Sequence, residues 1–348
     1  MLIKIFMSSA NGYNEHDILL KFGQGVQEWA NQQNGRQPAP DLVRIGRWAD
    51  LDIGLFHTVD YDYTEGYTEC DVAVFFGSWK NREKNHHATR SSVAANSRCF
   101  VCIETPLLNR STKTYNTQWR TGINGFLCQS ATWPDYQEHI GQHRLSQLGI
   151  GHWQGWRNDP NGHIVVALQL PGDASLRGTD INEWAINAIR NIRKVSQRQI
   201  VVRNHPLASG KAMSDHESLA RMVLLDGIQN VKFSDGALTP WADDLRGAYC
   251  TVTYTSGLAI DSVIAGIPTV ACDNGNFAWP FSTRYVEEIE NLQLVDANVI
   301  NTWLKHLAQC QYSVDEMRSG VAWQQLVGPI QQILAKNAQP DPEPKKKK

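Results

Sequence analysis

"TYTSGLAIDSVIAGIPTVACDNG", residues 253–275, opens on hydroxyls and a glycine, runs through a short apolar turn pattern, halts at Gly266-Ile267-Pro268 and resumes as Thr269 to Cys272. With the apolar run Cys250 to Tyr254 in front of it, the stretch reads as strand, corner, helix from about Ser256 to Ala265, and strand again. Two strands joined by a crossover helix pair in parallel. The corner Thr255-Ser256-Gly257 then lies where a strand hands over to a helix, which is where open parallel sheets bind their ligands.

The same alternation extends outward in both directions. Upstream, Ile164 to Leu170 reads as a strand. Ile181, Trp184, Ala185, Ala188, Ile189, Ile192 and Val195 form one helical stripe behind Asp180 and Glu183, which have the spacing of a capping pair. Ile200 to Arg203 is a further strand, Ser214 and Glu217 a second capping box, Val231 to Phe233 a short strand and Leu238 to Arg246 a helix. In the first half the strands are Leu2 to Met7, Val72 to Phe76 and Phe100 to Glu104, with helices over Asp17 to Asn31 and His87 to Asn96. Residues 105–160, rich in Asn, Gly, Gln and Trp, show no clear period, and the domain boundary falls near 150–160.

Hairpin signals are almost absent, so the expected fold is α/β with two Rossmann-like domains facing a cleft. Residues 1–155 form the first and 156–310 the second. A helical segment, 311–336, follows, capped by Ser313 and Glu316 and expected to break or bend at Gly328-Pro329. Residues 337–348 end in Pro-Asp-Pro-Glu-Pro and four lysines, a composition that predicts a disordered tail.

Composition narrows the classes. A length of 348 residues suits about two domains of about 150 each. The longest apolar runs are strand-sized, far below the roughly 20 residues of a membrane span. The opening Met-Leu-Ile-Lys-Ile-Phe-Met lacks a basic leader and a small-residue cleavage site, so the expectation is a cytoplasmic protein. Seven scattered cysteines read as buried free thiols. Cys99 and Cys102 have C-x-x-C spacing, but on a strand their side chains would point to opposite faces, which discounts metal and redox roles. The formal charge of −2 hides an acidic run over 49–71 and a basic run over 80–120, the latter interleaved with Tyr115 and Trp119. Such a run is a solvated surface or a face for a phosphate-bearing partner.

Three corners of the second domain meet the strand-end rule: Pro171 to Ser175, Arg203-Asn-His-Pro206 and Thr255 to Gly257. Taken singly each has a plain structural role, since Ser256 is a good N-cap and Asp173 and Ser175 are turn formers. Their convergence on one sheet edge is what favours a ligand. Free N–H groups and hydroxyls at the last corner suit a phosphate, with Gly257 letting it approach the backbone.

"VVRNHP" followed some fifty residues later by "TYTSGLAIDSVIAGIPTVACDNG" resembles the GT-B glycosyltransferases of the capsule-polysaccharide and sialyltransferase type, and related bacteriophage sugar transferases. "LQLPGDASLRG" and "RTGINGFL" look like the phage versions. The resemblance covers chiefly residues 164–275. It implies a nucleotide-sugar donor as co-substrate, with no other cofactor, and a location in the bacterial host cytoplasm if the protein is phage-encoded. It implies donor phosphates held by His205 and Pro206 and by Thr255, Ser256 and Gly257, with Gln169, Asp173, Ser175 and Arg203 beside them. No Asp-x-Asp motif sits in a suitable loop, because Asp60-Tyr-Asp62 belongs to the acidic run, so a metal-independent mechanism with fixed donors such as Ser256 and His205 is expected.

An acceptor hydroxyl needs a base from the first domain. Glu104 closes a strand at the ligand edge, with Thr105-Pro106 turning the chain. It reads equally as an ion-pair partner of Arg110 or Arg120; Asp17, or His16 beside it, is the reserve, and the family's base motif is not matched. Arg110, Lys113, Trp119 and Arg120 are the candidate acceptor contacts. Hydroxymethylpyrimidine-containing DNA is the favoured acceptor, on the strength of the basic run, Trp119, "FAWPF" at 277–281 and the lysine tail; a capsule or lipopolysaccharide glycan is the alternative. Two other classes stay open: a nucleotide-sugar 2-epimerase, and a nucleotide-binding module without catalysis.

Overall fold

The structure is a computed structural model and describes residues 1–8, 11–33, 58–64, 66–77, 85–110, 117–157, 159–208 and 210–337. The first half contains β1 (Leu2–Phe6), α1 (Tyr13–Gln33), β2 (Thr58–Asp62), β3 (Val72–Phe76), α2 (Asn85–Asn96), β4 (Phe100–Glu104), β5 (Gln118–Ile123) and α3 (Glu138–Gln147). The second contains β6 (His163–Ala167), α4 (Ile181–Val195), β7 (Ile200–Arg203), α5 (Lys211–Leu225), β8 (Val231–Ser234), α6 (Trp241–Leu245), β9 (Ala248–Thr253), α7 (Leu258–Ile264) and β10 (Thr269–Ala271). The chain then continues through α8 (Ala297–Gln309), β11 (Gln311–Ser313), α9 (Val314–Arg318) and α10 (Val321–Asn337).

Two sheets result, in the orders β11-β5-β4-β3-β1-β2 and β10-β9-β6-β7-β8. The second is parallel throughout. Strands buried on both faces must be apolar along their whole length; β3 and β7 are, with every residue of each buried. Side chains from alternate positions feed separate cores. Ile3, Ile5, Val72, Val74 and Ile103 pack against α1 and α10, whereas Phe6, Ala73, Phe75 and Cys102 pack on the other side with Val93 of α2. In the second sheet Ile164, Val166, Ile200 and Val202 meet α4 and α5, while Val165, Ala167 and Val201 meet Leu245 and Leu258. Two α/β units, each a largely parallel sheet with packed cores on both faces, are therefore the architecture.

Several local readings change. β2 is a strand inside the acidic run: Val59 is buried, and the carboxylates suit an edge, Asp60 lying 3.9 Å from Lys4. β5 runs antiparallel to β4, so the first sheet is mixed. α5 begins at Lys211 after Gly210, which puts Ser214 inside the helix and not at its cap. Pro329 lies within α10, and the helix continues through it. Asp180 does cap α4, accepting from the N–H groups of Asn182 and Glu183 at 2.8 and 3.1 Å. The cysteines among the described residues are free; Cys99 and Cys102 fall in opposite cores, and burial pushes the Cys99 thiol up to about 12. Lys80, Arg82, Lys84, Lys113, Tyr115 and the lysine tail lie outside the described residues. No helix among the described residues is long and apolar enough to cross a membrane.

After α8 the chain returns to the first sheet. β11 pairs with the edge of β5, and Ser313 and Glu316 form a reciprocal capping box that starts α9. The same Glu316 accepts from Arg144 Nε at 2.9 Å, which ties α3 to the returning segment. That segment seats on α1 at a point where neither backbone has a side chain. A Cβ on Gly25 would collide with the Met317 carbonyl oxygen and lie 2.9 Å from Gly320 N; a Cβ on Gly320, at φ +86°, would lie 2.6 Å from Gly25 O. Replacing Gly25 by valine is expected to destabilise the protein by about 1–3 kcal/mol through overpacking. Urea unfolding measures this, and an unchanged midpoint would show that α9 does not depend on that contact.

Candidate functional site

β6 has β7 on one side and β9 on the other, because the chain winds outward through β7 and β8 before crossing back to β9 and β10. The gap beyond the carboxyl ends of β6 and β9 is the topological switch point. Gln169 follows β6 and Thr255 follows β9, and they close on each other. Gln169 Oε1 accepts from Thr255 N at 2.9 Å, and Gln169 Nε2 donates to Thr255 Oγ1 at 2.9 Å and to Ser175 Oγ at 2.7 Å. Ser175 in turn donates to Asp173 Oδ1 from Oγ at 2.7 Å and from N at 2.9 Å. Four of the candidate donor-binding residues thus use their polar groups mainly on one another. They frame the next two residues.

Ser256 and Gly257 carry the open end of that frame. Leu258 N donates to Ser256 Oγ at 3.3 Å, a side-chain turn just ahead of α7, whose N-cap is Gly257 and not the expected Ser256. Among the described residues no acceptor takes the N–H of Ser256 or of Gly257. Both residues line a cavity of about 240 Å³ together with Gln169, Asp173, Ser175, His205 and Thr255. Glu104, Arg110 and Arg120 line it from the first sheet.

His205 is held by its own loop. Leu207 N donates to His205 Nδ1 at 3.1 Å, which assigns the ring proton to Nε2 when the imidazole is neutral. Its pKa lies below the ordinary 6.5, chiefly through burial, with Arg110 and Arg203 adding to the shift and Asp173 opposing it. At neutral pH the ring is therefore an uncharged donor. Glu104 sits at the other wall; its Oε2 accepts from Thr105 N at 3.0 Å and lies 3.6 Å from Arg120 Nη2. Arg120 is buried, donates to Phe126 O at 2.9 Å, and its charge is held over the Phe277 ring.

Other candidates are placed elsewhere. Asp17 is in α1 and pairs with Lys21 at 2.6 Å, and His16 Nε2 lies 2.8 Å from Ser8 O; neither lines the cleft. Trp119 is 4% exposed and stacks edge-on against Phe76, so it cannot stack on an acceptor; alternation on β5 turns it into the core. Arg203 is buried, paired with Asp244, and donates to Gly236 O at 3.3 Å; it locks β7 to β8 beneath the cleft. Pro206 turns the chain but is not part of the lining. Phe277 and Phe281 are largely buried, packed on Trp133 and Trp303, although Phe277 keeps an edge on the cavity. Arg110, expected on the acceptor side, instead reaches across to pair with Asp261 of α7. Among the described residues no three His, Cys, Asp or Glu side chains group as a metal site would need.

Two residues were not singled out from sequence. Asp261 looks like an ordinary polar position of an amphipathic helix. Asn276 is fully buried, donates to Thr253 Oγ1 at 2.8 Å and to Tyr254 O at 3.1 Å, and pins the loop carrying Phe277 to the end of β9. Its only signal is a polar residue inside "DNGNFAWPF".

The chain matches no protein-family model and no curated protein. Among solved structures it is similar to KpsC of Thermosulfurimonas dismutans, a beta Kdo 2,7 transferase, at 12% identity over 94% of this chain and 99% of that one, with a TM-score of 0.47. The beta Kdo 2,4 transferase KpsC of the same organism is similar at 14% identity over 73% and 83%, TM-score 0.44. UDP-GlcNAc 2-epimerase of Methanocaldococcus jannaschii is similar at 9% identity over 94% and 100%, TM-score 0.32. Likenesses this distant carry no argument about chemistry.

The depressed His205 pKa makes a pH prediction. A group held neutral in the fold stabilises it above its unfolded pKa, and that contribution is lost as pH falls from 6.5 through the folded value. Wild-type protein is expected to lose stability as the pH falls below 6.5, and His205→Gln to lose less over the same fall. Thermal melts at several pH values test this; parallel curves would overturn the assignment.

Proposed function

We propose that the protein is a glycosyltransferase. A nucleotide-sugar donor would occupy the His205 and Ser256 side of the cleft, and a hydroxyl acceptor would be presented from the Glu104 side. The observation that carries the reading is the shared cavity: a carboxylate from one sheet and a phosphate-suited corner from the other line the same space. In such a transfer the donor's anomeric bond breaks and its phosphate leaves with the electron pair. His205 Nε2–H and the N–H groups of Ser256 and Gly257 would take the developing charge. Glu104 accepts the proton of the attacking hydroxyl.

For the acceptor, hydroxymethylated DNA and a surface glycan remain the two chemistries to offer. The aromatic part of the case for DNA is weakened by the burial of Trp119, Phe277 and Phe281. Its electrostatic part narrows too, because Arg90, Arg98, Arg110 and Arg120 all contact partners within the chain. A glycan acceptor, which needs hydroxyl recognition and no stacking platform, fits this cleft with fewer assumptions.

Mass spectrometry of products, after offering a panel of nucleotide sugars with each acceptor class and with none, tests the reading. Donor consumed without an acceptor would point to epimerase or hydrolase chemistry instead. Glu104→Gln is expected to lower transfer by about 10²–10⁴-fold while donor affinity stays unchanged. A Glu104→Gln protein of full activity would remove the residue from the mechanism.

A further inference from the structure

The charged groups lining the cleft are few. Among the described residues its permanent cations are Arg110 and Arg120, and Arg120 is committed to Phe126 O and to Glu104 on its own side. Arg110 is different. It leaves the first half of the chain, crosses to the Ser256 side, lies over Gly257 and pairs with Asp261.

Gly257 records that crossing. Its φ of −62° is available to any residue, so its backbone does not call for glycine. What glycine provides is room. A Cβ there would collide with Arg110 Nη1 and lie 2.6 Å from Arg110 Cζ. The site expected to admit a phosphate to the backbone is occupied by the guanidinium that a phosphate would seek.

We propose that Arg110 is a phosphate-binding group of this cleft which Asp261 holds in reserve: a phosphate dianion entering between His205 and Ser256 takes the guanidinium over from the Asp261 carboxylate. The inference rests on the donor side assigned above and deepens it by naming the group that meets the leaving phosphate.

Competition favours the exchange. Arg110 keeps 33% of its side-chain exposure and Asp261 20%, and ion pairs open to solvent in this way are weak. A phosphate dianion offers more charge and more acceptor oxygens than one carboxylate, in a geometry that fits two guanidinium N–H groups at once. Asp261 then acts as a competitor that keeps Arg110 aligned and lowers the affinity of the cleft for phosphate.

Calorimetric titration of the full chain with inorganic phosphate, inorganic pyrophosphate and UDP tests this, alongside thermal melts of each variant. Asp261→Asn or Asp261→Ala is expected to tighten pyrophosphate binding by about tenfold, and Arg110→Gln to weaken it by about tenfold. Combining Arg110→Gln with Asp261→Asn should give the affinity of Arg110→Gln alone, because Asp261 acts only through Arg110. UDP binding tighter than pyrophosphate, with the same pattern, identifies the phosphate as a nucleotide's; equal affinities identify a free-phosphate site. The inference is overturned if the folded Asp261 variants bind pyrophosphate no more tightly than wild type, or if Arg110→Gln binds it equally well. The affinity pattern without sugar transfer from any donor would uphold Arg110 and remove the transferase reading; transfer with unaltered binding in Arg110→Gln would do the reverse.

Discussion

One buried amide holds the site in shape. Gln169 stands at the end of β6, and its side chain satisfies the Thr255 N–H and bonds its hydroxyl at the end of β9, the two strands whose divergent connections open the switch point. A polar group in so dry a place is costly unless every donor and acceptor finds a partner. Here the partners are found through Ser175 and Asp173, so the loops after β6 and β9 are fixed relative to each other before any ligand arrives. That is preorganisation: Ser256 and Gly257 point into the cleft because the residue before them has no freedom left.

The wall opposite depends on how the two halves are joined. Leu107, Leu108, Leu145 and Trp153 from the first part of the chain pack with Ala259, Ile260, Val263 and Phe277 from the second, and with α8. Trp153 Nε1 donates to Val263 O at 2.6 Å, so the inter-unit contact is anchored on α7, the helix that follows the Ser256 corner. The return of the chain through β11 clamps the arrangement, since Gln311 Oε1 accepts from the N–H groups of Leu107 and Leu108 at 3.1 and 3.0 Å, just beyond Glu104. The segment bearing the candidate base is thereby positioned by residues some two hundred places away in sequence. Arg110 continues that same segment into the cleft.

The chemistry of the cleft is one of groups set against neighbours. His205 is kept neutral by burial and aimed by its Leu207 contact. Glu104 is bracketed by Thr105 and Arg120. Arg110 is divided between the cleft and Asp261. None of these depends on a long-range field, and the net formal charge of −2 says little about the site.

What the sequence determined by itself was whatever depends on near neighbours along the chain. Buried parallel strands announce themselves as unbroken apolar runs, so β3 and β7 were legible to the residue, and the strand, corner and helix order placed His205 and Ser256 on one edge. Asp180 and Ser313 were legible as caps because a cap and its N–H partners are two or three residues apart. Tertiary structure alone decided the rest. β2 and β5 lack a clean apolar period because one is an edge and the other carries Arg120 and Gly122 into a buried turn, so only pairing makes them strands. Whether Trp119 faced solvent or core depended on the side from which α10 closed over the sheet, and whether Arg110 stayed beside its own sheet or crossed to α7 depended on a glycine and an aspartate about one hundred and fifty residues downstream. A side chain's partners across a cleft are set by the packing of whole elements, and no local pattern in the sequence encodes that.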